Sequence, residues 1–187
     1  MATQIPSEVP SGVSQEGDGI VVGSAGVPVD AYIDFQCPFC RQFEENNGLA
    51  LRRMVADGII SMVYHPLGFL DRLSTTAYSS RAASASGCAS DAGSFDAYER
   101  VLFANQPPEG SAGLSDQQLI ELGRVVGIDD PGFAACVRAH RYLDWVAFVT
   151  ERAIQRGVSG TPSVFVAGVP VPANAGMIAA AASEMAR

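Results

Sequence analysis

The stretch Val27-Pro28-Val29-Asp30-Ala31-Tyr32-Ile33-Asp34-Phe35 runs directly into Gln36-Cys37-Pro38-Phe39-Cys40-Arg41-Gln42-Phe43, and the change of pattern between the two decides the fold. The first part is rich in β-branched and aromatic residues and reads as a strand. The second follows Gln36 with a cysteine, puts a proline where the first turn of a helix tolerates one, and sets Phe39 and Phe43 one turn apart on a common face. A helix is expected to start at Cys37 and to run, with a bend near Gly48, to Asp57. Gly58 then introduces a second apolar strand, Ile59 to His65, closed by Pro66, and a short strand around Gly19 to Val22 comes before the first.

From Leu70 to about Arg156 the pattern becomes helical, with Ala, Leu and Val repeats broken by Gly, Pro and Asp. The expected helices are Arg72 to Ala85, Ser94 to Asn105, Ser115 to Val126 with Ser115 as its cap, Pro131 to Ala139, and Tyr142 to Arg156. Strands return at Ser163 to Val166 and Val169 to Val171, around the hairpin signal Ala167-Gly168, and Met177 to Met185 closes the chain as a helix. This order gives an α/β domain over residues 18–187, with a helical insert at about 70–156 interrupting one sheet. Residues 1–17, rich in Ser, Gly, Pro and Glu, read as a flexible leader with neither a basic start nor an apolar signal core.

The chain has 187 residues, 48% of them hydrophobic and 17% charged, enough for one domain with a real core. All twelve basic residues are Arg, and against twenty acidic residues they leave a formal net charge of -8. That sign is wrong for a phosphate backbone or an anionic membrane surface, so nucleic acid is not an expected partner. The uncharged run Gly157 to Ser183 is broken by Pro162, Pro170, Pro172 and Asn174, which rules it out as a spanning helix.

Chemistry is expected at Cys37 and Cys40. Residues i and i+3 of a helix start share a face, close enough to close a small disulfide ring. Cys37 lies at the helix terminus, where free N–H groups and the positive end of the dipole favour a thiolate, whereas Cys40 is one turn inside. Cys37 is the expected nucleophile and Cys40 the resolving thiol; the bland alternatives are two half-buried thiols or half of a zinc knuckle. A four-thiolate zinc site would favour a second short-spaced pair, which Cys88 and Cys136 do not make, so no metal is expected. His65 and His140 have no acid or nucleophile beside them in sequence and read as structural, and Trp145 reads as core.

Downstream stands Thr161-Pro162-Ser163-Val164-Phe165-Val166, followed by Gly168. Strand, Cys37-Pro38-Phe39-Cys40 and helix, then much later Thr161-Pro162 leading into a strand, resembles the thioredoxin superfamily. The long helical block between the motifs resembles its DsbA branch, the bacterial thiol:disulfide interchange proteins, as do Asp34-Phe35, Ala82-Ala83 through Cys88 to Phe95, and Leu102-Phe103. The likeness covers residues 18–187. It implies a thioredoxin-like fold with a helical insertion, a cis-proline at Pro162 facing Cys37, and Pro38, Phe39, Thr161 and Pro162 on the substrate side. The implied activity is that of an oxidase donating the Cys37–Cys40 disulfide to reduced or unfolded substrate proteins through a mixed disulfide. A membrane oxidase would regenerate the disulfide, with no cofactor, in an extracytoplasmic compartment, any signal or anchor lying outside this sequence. A reductase or isomerase of the same fold is the alternative, and a non-catalytic metal- or peptide-binding module the more distant one.

The chain departs from the founding oxidase at three places: Phe39 stands where that protein has His, Thr161 where it has Val, and Ala31 where it and thioredoxin carry an acid. These departures bear on oxidising strength. Asp34, three residues before Cys37, is a candidate proton acceptor or equally a cap for the turn. In an oxidising compartment Cys88 and Cys136 would form a structural disulfide, the alternative being two separate buried thiols.

Overall fold

The computed structural model describes residues 4–187. Its sheet is built from β1 (Ile20–Val22), β2 (Val27–Ile33), β3 (Ile60–Pro66), β4 (Ser163–Val166) and β5 (Val169–Val171), in the order β1-β3-β2-β4-β5. Only the β2–β3 pair is parallel, and α1 (Pro38–Ala56) is the crossover that a parallel pair requires. The other pairs are antiparallel, with Ile20 opposite Tyr64, Asp30 opposite Phe165 and Val166 opposite Val169. The period of two gives the sheet two unlike faces. Val29, Ala31, Ile33, Ile60, Met62, Tyr64, Val164 and Val166 are all buried, on the side where Met62 and Tyr64 share a cleft with Arg52 and Val55 of α1. The opposite face carries Pro28, Asp30, Tyr32, Val63 and Phe165 and is only partly covered.

The helical block comprises α2 (Tyr78–Asp91), α3 (Phe95–Ala104), α4 (Asp116–Val125), α5 (Pro131–Arg138) and α6 (Leu143–Gln155), and α7 (Ala175–Met185) returns to the sheet. Ser115 caps α4 in a reciprocal capping box with Gln118, and Asp130 caps α5 ahead of Pro131. Trp145 is fully buried in α6.

Three expectations need correction. The helix expected at Arg72 to Ala85 is a single 3-10 turn, Asp71–Leu73, followed by a break and then α2. Polar side chains hold the break: Ser74 Oγ accepts from the N–H groups of Thr76 and Tyr78, and the Asp71 carboxylate accepts from Ser80 N–H at 2.9 Å, while Ala77 sits at φ 52°. Second, α1 continues without interruption past Gly48, whose missing side chain leaves room for the Glu44 carboxylate against the helix. Third, residues 4–17 of the expected flexible leader are bound down; residues 1–3 lie outside the described residues. Trp145 Nε1–H donates to Gly17 O at 2.8 Å, Ser11 N–H donates to Asp91 at 2.8 Å, Val13 bridges Ile20, and Arg152 pairs with Glu16. The buried Trp145 indole of α6 and the exposed Asp91 at the end of α2 find partners in this segment, which its composition alone does not show.

Candidate active site

The last residues of β2 and the first of α1 set the cysteines. Cys37 is the N-cap of α1, extended at φ -79° and ψ 119°, with Pro38 in the first turn. Its N–H donates to Asp34 O at 3.0 Å, and its carbonyl accepts from Cys40 N–H at 3.1 Å and Arg41 N–H at 3.2 Å. Both cysteines are free thiols. Cys37 is 6% exposed and Cys40 0%, so one sulfur is reachable and the other is sealed behind it. Thr161 O lies 3.5 Å from Cys37 Sγ, and the Thr161–Pro162 peptide is cis. The hairpin of β4 and β5 therefore begins against the cysteine pair, 124 residues away in sequence.

The two thiols are pulled in opposite directions. Cys37 is lowered to about 6, first by the hydrogen bond from the Cys40 thiol and then, against the cost of burial, by Thr161 and the N–H groups of Cys40 and Phe39 at the helix start. Burial pushes the Cys40 thiol well up, and its bond to Cys37 adds to the effect. Sequence reasoning credited the helix terminus alone with the thiolate; the partner thiol is the larger influence.

Asp34 is fully buried, and burial raises its carboxyl to about 6 against hydrogen bonds from Ser79, Gln36 and Leu70. Ser79 Oγ donates at 2.6 Å and Gln36 N–H at 2.9 Å to one oxygen, and Leu70 N–H at 3.0 Å to the other. Asp34 thus clamps the cysteine turn to α2 and to the loop after β3. Gln36 and Gln106, which bond the same turn, carry no sequence signal, because a loop glutamine looks like any solvated polar residue.

Phe39 is 66% exposed and stands beside a groove of about 380 Å³ lined also by Gln42, Phe43, Asn46, Asn47, Thr161, Pro162 and Ala173. The groove offers apolar surface and uncharged amides. A larger cavity of about 730 Å³ lies on the partly covered sheet face, beside Glu16, Asp18, Asp30, Tyr32 and Arg156. It shares no residue with the cysteine groove, and its charges pair among themselves, Arg156 with Glu16 and Asp18, so chemistry is placed at the smaller one.

Cys88 and Cys136 are joined as a disulfide between α2 and α5, which leaves no four-thiolate set for zinc. Among the described residues no group of three or more His, Cys, Asp or Glu is arranged to hold a metal. His65 does meet an acid that sequence did not place beside it: Asp30 Oδ1 lies 2.7 Å from Nε2, while Nδ1 faces the backbone carbonyl of Asp18 at 2.6 Å and the Tyr32 ring stacks at 4.2 Å. His140 similarly meets Asp116 at 2.8 Å.

The family model described as Thioredoxin matches residues 15–179. Among solved structures, reduced DsbA from Mycobacterium tuberculosis is 29% identical with a TM-score of 0.74, covering 83% of this chain and 85% of its own. Reduced DsbG, a disulfide bond oxidoreductase from the same organism, is 30% identical with a TM-score of 0.73, covering 82% and 80%. BdbD from Bacillus subtilis, at 19% identity, shares the fold over 95% of both chains with a TM-score of 0.75. A curated relative, the serine/threonine-protein kinase PknE of M. tuberculosis, is 30% identical over 161 residues, which are 79% of this chain and 28% of the kinase. The chain therefore spans under a third of that protein, and it contains no lysine of the kind a kinase sets against ATP phosphates.

Proposed function

Since the chain belongs to the thioredoxin family and is DsbA-like within that superfamily, we propose that it is a thiol:disulfide oxidoreductase working as an oxidase of reduced or unfolded proteins. The observation that carries this reading is the split between the thiols: a reachable Cys37 lowered to about 6 and a sealed Cys40 pushed up.

In the oxidised protein a client thiolate attacks Cys37 Sγ. The Cys37–Cys40 bond breaks, a client–Cys37 disulfide forms, and Cys40 leaves with the electron pair and takes up a proton. A second client thiolate then attacks the client sulfur of that mixed disulfide and displaces Cys37 as a thiolate. Two electrons have moved from the client dithiol to the Cys37–Cys40 pair, and the client holds a new disulfide. A low-pKa leaving group speeds the second step and stabilises the reduced protein, which makes its disulfide the stronger oxidant. We assign Pro38, Phe39, Thr161 and Pro162 to the surface that receives the client, in extended form along Thr161. Asp34 holds the turn and is the candidate acceptor for a proton released inside the site, since the charge on Cys37 adds to the burial that raises its carboxyl.

A membrane oxidase would restore the disulfide, and the setting we propose is extracytoplasmic. The Cys88–Cys136 bridge supports it, because structural disulfides persist in oxidising compartments. Among the described residues no helix is long and apolar enough to cross a membrane. The deciding experiment is the equilibrium reduction potential together with oxidation of a reduced dithiol peptide. A potential well above about -270 mV, the thioredoxin value, with turnover of the peptide is expected; a value at or below it turns the assignment to a reductase.

A further inference from the structure

Two glutamines cross between the cysteine turn and the helical block in opposite directions. Gln36, in the turn, donates through Nε2 to Leu70 O at 3.0 Å and Ser79 Oγ at 3.1 Å, and its Oε1 accepts Gly110 N–H at 2.9 Å. Gln106, in the loop between α3 and α4, donates through Nε2 to Phe35 O at 3.0 Å and Cys37 O at 2.9 Å. A primary amide has two N–H bonds, so these contacts use both. The amide bridges the carbonyls of Phe35 and Cys37, on either side of Gln36, and ties down the 35–36 and 37–38 peptide planes.

We infer that Gln106 is a positioning residue for the Cys37 nucleophile: through its amide, the α3–α4 loop fixes the carbonyl end of residue 37 and so the direction in which Sγ leaves the helix terminus. The inference rests on reading Cys37 as the attacking thiol. An N-cap residue is extended, as Cys37 is, and its carbonyl, which accepts the first helical bonds from Cys40 and Arg41 N–H, gains in the Gln106 amide a hold from outside the helix. The groups that favour the thiolate, the Cys40 thiol and the N–H groups of Phe39 and Cys40, act only when aimed at Sγ. In exchange the same sulfur bonds Cys40 and the client in turn. With its carbonyl pinned, residue 37 makes that change by side-chain rotation, without moving the turn. The helical block then does more than cover the site, because one of its loops sets the geometry of the reactive atom.

The test is the pH profile of Cys37 alkylation in the reduced full chain. Gln106→Ala removes the bridge, and the near-isosteric Gln106→Glu faces two carbonyls with a carboxylate instead of an amide donor. Both are expected to raise the midpoint, so that the alkylation rate at pH 5 falls about threefold or more, each half pKa unit being worth that much. Asn105→Ala, which loses only a bond to Val101 O in the same loop, should keep the parent profile. Parent-like profiles in both Gln106 variants would overturn the proposal. So would failure of both to fold, since the amide would then hold the helical block rather than the thiol. Turnover of a reduced peptide by the parent is measured in parallel; shifted profiles in the Gln106 variants together with a parent that shows no turnover remove the oxidase reading and leave the positioning role standing.

Discussion

At the scale of single residues the chemistry comes from an asymmetry between two identical side chains three positions apart. Cys40 donates to the Cys37 sulfur, and that bond is the largest influence lowering Cys37. Cys40→Ser keeps a donor and Cys40→Ala removes it. The alkylation midpoint of Cys37 should stay near 6 in the serine variant and climb toward the ordinary thiol range in the alanine variant, as a rate profile against a small haloacetamide reads directly. Equal midpoints would mean that the helix terminus alone sets the thiolate. With an oxidised client, whose disulfide the Cys37 thiolate attacks with release of one client thiolate, Cys40→Ser should accumulate the mixed disulfide on Cys37 because no resolving thiol follows, and Cys37→Ser should accumulate none. Asp34 belongs to the same scale. Asp34→Asn places an amide donor against one of three donors, Gln36 N–H, Leu70 N–H or Ser79 Oγ, and should cost about 1 to 3 kcal/mol in urea unfolding.

Among the elements, the N-terminal segment is held where α2 passes beneath it. A side chain at Gly87 would come within 2.8 Å of Pro10 and 2.9 Å of the Tyr142 ring, so α2 passes there only because residue 87 has no Cβ. Gly87→Ala should therefore cost about 1 to 3 kcal/mol of stability through overpacking, despite the better helix propensity of Ala, and should speed proteolysis between residues 5 and 16. Unchanged stability and cleavage would mean that the segment is not bound through this contact. The contrast between elements shows what a sequence makes legible. The hairpin Ser163–Val166 and Val169–Val171 follows from β-branched runs around Ala167-Gly168, and α4 from Ser115 and its capping partner, all local signals. The start of α2 depends on Asp71 reaching Ser80 and on Ser74 capping Tyr78, and the docking of residues 4–17 depends on Trp145 and Asp91 more than seventy residues away. Those contacts have no periodicity to read. The same holds at the site: Cys37, Cys40 and Thr161-Pro162 announce themselves by spacing, whereas Gln36 and Gln106 acquire a role only once the fold brings the α3–α4 loop to the turn.

For the whole molecule, protonation links the site to the stability of the fold. Reduced Cys37 has a folded pKa of about 6 against an ordinary value of 9.0, so it stabilises the fold fully above pH 9, and this contribution is lost as pH falls toward 6. Three units correspond to up to about 4 kcal/mol. Asp34 runs the other way: raised to about 6 by burial, it favours the fold below its ordinary value of 3.8 and loses that advantage as pH rises through 6. Glu99, only 2% exposed and with Oε2 lacking a hydrogen-bond partner, is pushed up by burial with the same sign. The carboxyls are present in both redox forms, so their effects largely cancel when reduced and oxidised protein are compared, while the thiol exists in one form only. Urea midpoints measured from pH 5 to pH 9 should show the reduced form gaining on the oxidised form by up to about 4 kcal/mol, with the gain absent in Cys37→Ser. By the linkage between redox and folding, the full amount present above pH 9 raises the potential of the disulfide there by about 90 mV over that of an unperturbed pair, at about 30 mV per 1.4 kcal/mol, and at pH 7 by only about 30 mV. A flat difference between the two forms would remove the thiolate as the source of oxidising power, and any high potential would then have to come from strain in the oxidised turn.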